Sequence, residues 1–262
     1  RFHQKLFIDK INELINDGEK NILVGAIPRS GKSYIMMGSM LEYVKVMNSQ
    51  GNKKQLNFIL VTPAPHETFG EYEDIFNTYI DFDTLGINKV LITDGHAARR
   101  RRARSAEETK HNVFIVSKQL LGYKEKSDAG KDNDSVKQNL DKIREDTGKR
   151  VTELLGDNQF DLILLDEAHF GMSTENAQVI LNVLDGLGKD TPKMFVTATY
   201  NKPLSVYGID AEKCKLTWDI NDVQSFGDTE FDINNNSIKD RFGHEIYNRS
   251  LAFFDGDAER II

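Results

Sequence analysis

Apolar residues along this chain fall into two kinds of pattern that take turns. Short unbroken runs occur within Asn21–Gly25 and at Phe58–Val61, Val90–Ile92, Val113–Val116, Leu162–Leu165 and Met194–Val196. Runs that are continuous, not alternating, are expected for strands of a parallel sheet covered on both faces. Between them lie stretches with helical spacing. Leu6, Phe7, Ile11, Leu14 and Ile15 form one stripe over Gln4–Asn16, with Gly18 as its stop. Ile35, Met36, Met40, Val44 and Met47 form another over Ser33–Met47, and its methionines read as packing residues. Strand and helix in alternation predict an α/β fold, a three-layer domain with a mostly parallel central sheet.

Two segments interrupt that rhythm. Ala97–Lys110 carries Arg99, Arg100, Arg101, Arg102 and Arg104 ahead of Glu107 and Glu108. Tyr123–Gly156 is highly charged, with a loop-like stretch at Asp128–Ser135. Val136, Leu140 and Ile143, then Val151, Leu154 and Leu155, suggest amphipathic helix. After Pro203 the pattern weakens to one further strand at Lys215–Ile220 and a polar loop at Asp228–Asp240. The expected organisation is a main domain over residues 1–205, followed over 206–262 by a last strand and a connector.

Composition narrows the class only modestly. A chain of 262 residues, 39% hydrophobic and 29% charged, can bury a full core and is ordinary for a soluble globular protein. A formal net charge of −7 argues against a generally basic nucleic-acid coat but leaves room for a local patch such as the arginine cluster. Cys214 is the single cysteine, so no intramolecular disulfide forms, and an intracellular, cytoplasmic setting is the simplest expectation. No apolar run approaches the length of a membrane span, and no membrane partner is expected. The start at Arg1-Phe2-His3, without methionine, reads as a segment of a longer polypeptide.

The chemistry concentrates at two strand ends. Directly after the first strand comes Ala26-Ile27-Pro28-Arg29-Ser30-Gly31-Lys32-Ser33, which opens a helix. Such a loop can cradle phosphates on backbone N–H groups where the helix end favours an anion. Gly31 lets the backbone approach, Lys32 reaches the outer phosphates, and the Ser33 hydroxyl ligates magnesium. The general pattern has glycine first, where this chain has Ala26, so read strictly it is a miss. The competing reading is a plain Gly-Lys-Ser turn without a ligand. Downstream, Leu162–Leu165 delivers Asp166 and Glu167 at a strand's carboxyl end, where α/β folds place ligands. Asp166 would hold magnesium and Glu167 would polarise a water; the bland alternative is a solvated acidic turn. Hydrolysis of a nucleoside triphosphate is mostly positioning and charge stabilisation, so a lysine and two carboxylates suffice on this side. His169 lacks a nearby Cys or a second spaced His, which argues against zinc.

On these residues the chain resembles the first RecA-like motor domain of superfamily 2 helicases and translocases, in the type III restriction-subunit-like and DEAD/DEAH-box branch. Alanine is frequent at the first loop position of that superfamily, as at Ala26, whereas Arg29 stands where it usually has glycine. Asp166-Glu167-Ala168-His169 matches its second motif letter for letter. Thr197-Ala198-Thr199 resembles its third, which couples hydrolysis to strand movement, so the resemblance gives His169, Thr197 and Thr199 a coupling role. Arg1-Phe2-His3-Gln4 resembles the element ahead of the phosphate loop, with Gln4 reading the adenine edge and Arg1 nearby.

The resemblance also implies a nucleic-acid track, with DNA preferred to RNA. Thr62 and Pro63 after the second strand, and Ser117 and Gln119 after a later one, sit where the family meets the sugar–phosphate backbone; such contacts position the strand and carry little base information. The arginines Arg99–Arg102 could grip the same backbone, or form a solvated face balanced by the acids beside them. ATP and Mg2+ are the implied cofactors, and a second RecA-like domain of the same polypeptide the implied partner. Nothing after Pro203 resembles that second domain. Two other readings stay open: the motor of a restriction or DNA-defence complex, and a nucleotide-gated scaffold that does not separate strands.

Overall fold

In the computed structural model, the described residues are 2–63, 65–92, 111–117, 159–168, 184–186, 188–199 and 201–222. The expectations for residues 97–110, 123–156 and 228–240 lie outside them. Helix α1 (Phe2–Asn16) precedes β1 (Asn21–Ala26), and α2 (Lys32–Ser49) leads to β2 (Asn57–Thr62). Next come α3 (Pro65–Thr78), the single turn α4 (Asp81–Thr84), β3 (Ile87–Ile92) and β4 (His111–Ser117). The last elements are β5 (Leu162–Leu165), β6 (Lys193–Thr197), α5 (Asn201–Val206) and β7 (Lys215–Trp218).

All the expected strands form, each within a few residues of its apolar run. They make one seven-stranded sheet in the order β3-β4-β2-β5-β6-β1-β7, and every neighbouring pair is parallel. The runs are unbroken because successive strand residues enter two different cores. Ile22, Val24, Phe58, Leu60, Leu162, Leu164, Met194 and Val196 pack on one face, against Phe7, Ile11 and Leu14 of α1, Ile35, Met36 and Met40 of α2, and Tyr72, Ile75 and Phe76 of α3. Leu23, Ile59, Val61, Ile163, Leu165 and Phe195 pack on the other, with Leu184, Tyr207, Ile209 and Cys214. The result is the three-layer arrangement.

Two details of the helices depart from the periodicity. Leu6 is exposed, although Phe7, Ile11 and Leu14 of the same stripe are buried. On α2 it is Met37, not Met47, that joins Met36 and Met40 in full burial, while Met47 only borders the core. The α1 stripe ends where expected: Gly18 takes φ 87, and the N–H groups of Gly18 and Glu19 donate to the Ile15 and Leu14 carbonyls. A left-handed residue closing a helix in this way favours glycine. The strand expected at Lys215–Ile220 is β7, which pairs with β1 at the sheet edge. The lone Cys214 is buried beside Glu19, and burial pushes its thiol up to about 11, so it stays protonated. No helix among the described residues is long and apolar enough to cross a membrane.

Sheet order decides which strand ends become neighbours. The chain leaves β1, crosses β6 and β5, and enters β2, so β6 and β5 fill the gap between β1 and β2. The loop after β1 and the turn after β5 are thus two strand spacings apart, roughly 10 Å. A lysine side chain can bridge most of that.

Leu164 is fully buried at the sheet centre, two residues before Asp166. Leu164→Ala should cost about 2–5 kcal/mol through lost burial and the cavity left behind. Urea unfolding measures this, and a loss under about 1 kcal/mol would contradict the packing described.

Candidate nucleotide site

The phosphate-loop residues sit between β1 and α2. Ile27 N–H still donates to the Trp218 carbonyl, extending the sheet past Ala26, and Ser30 N–H closes a tight turn onto the Ile27 carbonyl. Arg29 occupies that turn with φ 62, and Gly31 follows at φ 81 as the N-cap of α2. No side chain caps α2. Its first-turn N–H groups have no intrahelical acceptors and carry the positive end of the helix dipole, the arrangement that receives an anion. Gly31 has no room for a side chain, because Gln4 already packs against its Cα: a Cβ there would lie 2.0 Å from Gln4 Nε2.

Helix α1 braces the loop from outside. His3 Nε2 donates to the Ser30 carbonyl at 2.8 Å, and its ring stacks on Trp218 at 4.8 Å between centroids. Gln4 Nε2 donates to the Ser30 carbonyl at 3.2 Å and reaches the Gly31 carbonyl at 3.5 Å. Gln4 therefore lies against the loop that the sequence pairs it with. Ser30 is buried, and its hydroxyl has no hydrogen-bond partner. An orphaned donor inside a phosphate loop, beside an uncapped helix end, is what a phosphate oxygen would satisfy.

The acidic turn is tied to both neighbouring strands. Asp166 N–H donates to the Val61 carbonyl of β2, and Ala168 N–H to the Val196 carbonyl of β6. Glu167 between them is forced to φ 45. Among the described residues, Arg29 and Glu167 are the only non-glycine positions with positive φ, and strained backbone of this kind collects at functional sites. Asp166 is buried; Tyr72 Oη donates to its Oδ2 at 3.0 Å and Glu167 N–H to its Oδ1 at 2.9 Å. Burial pushes the Asp166 carboxyl above the usual range, opposed by the bond from Tyr72. Lys32 Nζ stands 3.7 Å from Glu167 Oε1, closing the gap between loop and turn. Ser33 Oγ donates to Glu71 Oε1 at 2.6 Å.

Loop and acidic turn thus meet through Lys32 and Glu167, with Gln4 against the loop at Ser30 and Gly31. Thr197 is buried at the end of β6, in register with Gly25. Its hydroxyl donates to the Thr199 carbonyl and accepts from the Thr199 N–H, both at 3.0 Å, which fixes the turn. Thr62 is buried at the end of β2, level with Ser117, and Pro63 is half-buried. Arg1, Arg99–Arg102, Gln119 and His169 lie outside the described residues, as does the side chain of Ser117. His3, Trp218, Glu71 and Tyr72 are site neighbours that sequence reasoning missed. For Tyr72 a signal existed, because Tyr72, Ile75 and Phe76 share a helical face.

The donor set fits a magnesium ion that arrives with phosphates. Among the described residues no group of three or more His, Cys, Asp or Glu is arranged to hold a metal by itself. The Asp166 carboxylate and the Ser33 hydroxyl, hydrogen-bonded to the adjacent α3 residues Tyr72 and Glu71, offer a partial shell, and Mg2+ usually completes such a shell with water and substrate phosphates.

A seven-stranded parallel sheet with the Ala26–Ser33 loop at the end of β1 and the acidic turn at the end of β5 is the arrangement of a RecA-like domain. The match to the family model described as "Type III restriction enzyme, res subunit" covers residues 1–202, and the chain belongs to that family. In structure it is similar to the Pyrococcus furiosus Hef helicase domain, with a TM-score of 0.50 and 14% identity. That likeness covers 86% of this chain and 40% of the other, and it is one of fold. No curated protein matches the sequence.

Two substitutions separate strain from shape in the loop. Arg29→Gly removes a left-handed strain of about 1–2 kcal/mol and returns about 0.4–1 kcal/mol through a freer unfolded chain. The net expectation is a higher urea midpoint; a lower one would show that the arginine side chain stabilises the loop more than its backbone strains it. Gly31→Ala combines an unfavourable φ with the collision at Gln4, and should lower stability by at least about 1 kcal/mol in the same measurement.

Proposed function

We propose that this chain is the ATP-binding half of a nucleic-acid-dependent motor that hydrolyses ATP with Mg2+. The observation that carries the reading is the Lys32–Glu167 pair, which joins the phosphate loop to the acidic turn across the intervening strand β6. Lys32 would hold the outer phosphates, with the N–H groups of α2 and the Ser30 hydroxyl around them. Ser33 and Asp166 would hold magnesium, which supplies charge neutralisation at the transferring phosphoryl group. Glu167 is held by Lys32 through a partly exposed ion pair, an interaction worth at most about 1 kcal/mol. Were Lys32 engaged by phosphate, the Glu167 carboxylate would be free to orient the attacking water. Gln4 would read the base edge, with Arg1 close by.

The track reading rests on family membership and on placement. The ends of β2 and β4 lie on the same sheet edge as the nucleotide residues. Pro63, Ser117 and Gln119 would meet a sugar–phosphate backbone there, with DNA preferred to RNA, and Thr62 would support the turn from within. Arg99–Arg102 would add salt-dependent grip. Thr197 and Thr199 would pass the nucleotide state to that edge, with His169 beside them. A second RecA-like domain of the same polypeptide would complete the site, and residues 206–262 would lead toward it. Family membership also supports a place in a restriction or DNA-defence complex.

The test is ATP turnover by the full-length protein, with and without single- and double-stranded DNA and RNA. Turnover should rise with nucleic acid. Glu167→Gln should lower kcat by at least roughly 100-fold, as loss of a general base does, while nucleotide binding persists. Normal hydrolysis by that variant would remove Glu167 from the role.

A further inference from the structure

Helix α3 packs beside α2 on the same face of the sheet, and neither the phosphate loop nor the acidic turn gives it a role. Its residues Glu71 and Tyr72 each hold one of the two side chains assigned above to magnesium. Glu71 Oε1 accepts the Ser33 hydroxyl proton at 2.6 Å, and Tyr72 Oη donates to Asp166 Oδ2 at 3.0 Å. Tyr72 is fully buried, its ring in the core with Met36, so its hydroxyl is fixed in place. We propose that Glu71 and Tyr72 are positioning residues for the metal, a proposal that rests on the reading of the site as an ATP–Mg2+ centre.

The chemistry of each contact favours this role. A serine hydroxyl ligates a cation through an oxygen lone pair, so its proton must point elsewhere, to an acceptor. Glu71 is that acceptor, and accepting the proton turns the lone pairs of Ser33 away from α3. A carboxylate ligand needs one plane and one free direction. With Oδ1 held by Glu167 N–H and Oδ2 by Tyr72, the Asp166 carboxylate cannot rotate, and each oxygen keeps a further lone pair. Outer partners that orient ligands in this way commonly change metal affinity or activity by about 10–100-fold when removed. The same helix begins directly after Thr62 and Pro63. A shift of the strand-end loop would therefore be felt by both magnesium ligands through one rigid element.

The experiment is a Mg2+ titration of fluorescent ATP-analogue binding to the full-length protein, alongside kcat and KM. Tyr72→Phe keeps the buried ring and removes only the hydroxyl. Glu71→Ala removes the acceptor, and Glu71→Gln retains one. Tyr72→Phe and Glu71→Ala should raise the half-saturating Mg2+ concentration by roughly 10-fold and lower kcat more than they change KM. Glu71→Gln should restore most of the Glu71→Ala loss. Glu73→Gln, whose carboxylate faces Lys89 instead, is the control and should leave the titration unchanged. Unchanged Mg2+ dependence in Tyr72→Phe and Glu71→Ala, with a normal wild-type titration, would overturn the role of α3 alone. Wild-type binding that ignores Mg2+ would overturn this proposal together with the reading beneath it.

Discussion

Everything in this domain depends on the parallel sense of its sheet. Parallel strands place all their carboxyl ends on one edge, so loops that are far apart in sequence become neighbours there. Ala26, Thr62, Ser117, Leu165, Thr197 and Trp218 all end strands on that edge. The insertion of β6 and β5 between β1 and β2 then decides which loops face each other. It sets the phosphate loop and the acidic turn about two strand spacings apart, a gap that Lys32 crosses to Glu167. A hairpin-rich antiparallel sheet of the same composition would scatter these residues over two edges.

The continuous apolar runs made that architecture legible. Strands buried on both faces need no polar alternation, and six such runs separated by helical spacing leave few folds to choose from. The local chemistry was readable for the same reason: the Ala26–Ser33 loop and Asp166-Glu167 each follow directly on a run, so the strands before them fix where they begin. Less legible was anything reached through a helix packed across the sheet. Glu71 and Tyr72 lie outside every strand-end motif, and only the docking of α3 brings them to Ser33 and Asp166. His3 was passed over in the same way. Within the Arg1–Gln4 element only Gln4 and Arg1 carry a role in the sequence reading, whereas the His3 ring sits between Trp218 and the Ser30 carbonyl.

Arg29 is the instructive exception. The position favours a residue without a Cβ, and the turn takes a left-handed φ regardless of what occupies it. The strain is local because the turn is over-determined: Ile27 is tied to β7, Ser30 to Ile27, and the Ser30 carbonyl to both His3 and Gln4. Sequence showed that Arg29 departs from the usual glycine. It could not show that the bracing around the turn is strong enough to hold a non-glycine residue there.

Glu167 is strained by the same logic from the other side. Its neighbours Asp166 and Ala168 are bonded to different strands, β2 and β6, so the residue between them must turn sharply, and φ 45 is the outcome. A backbone pinned on both flanks cannot relax when the side chain loses a partner. The contact with Lys32 is long and partly exposed, so it contributes little to stability and is easily given up. Strong backbone constraint with a weak side-chain tether is the combination that the water-orienting role proposed for Glu167 would need: the carboxylate stays where the strands put it when the Lys32 contact is given up.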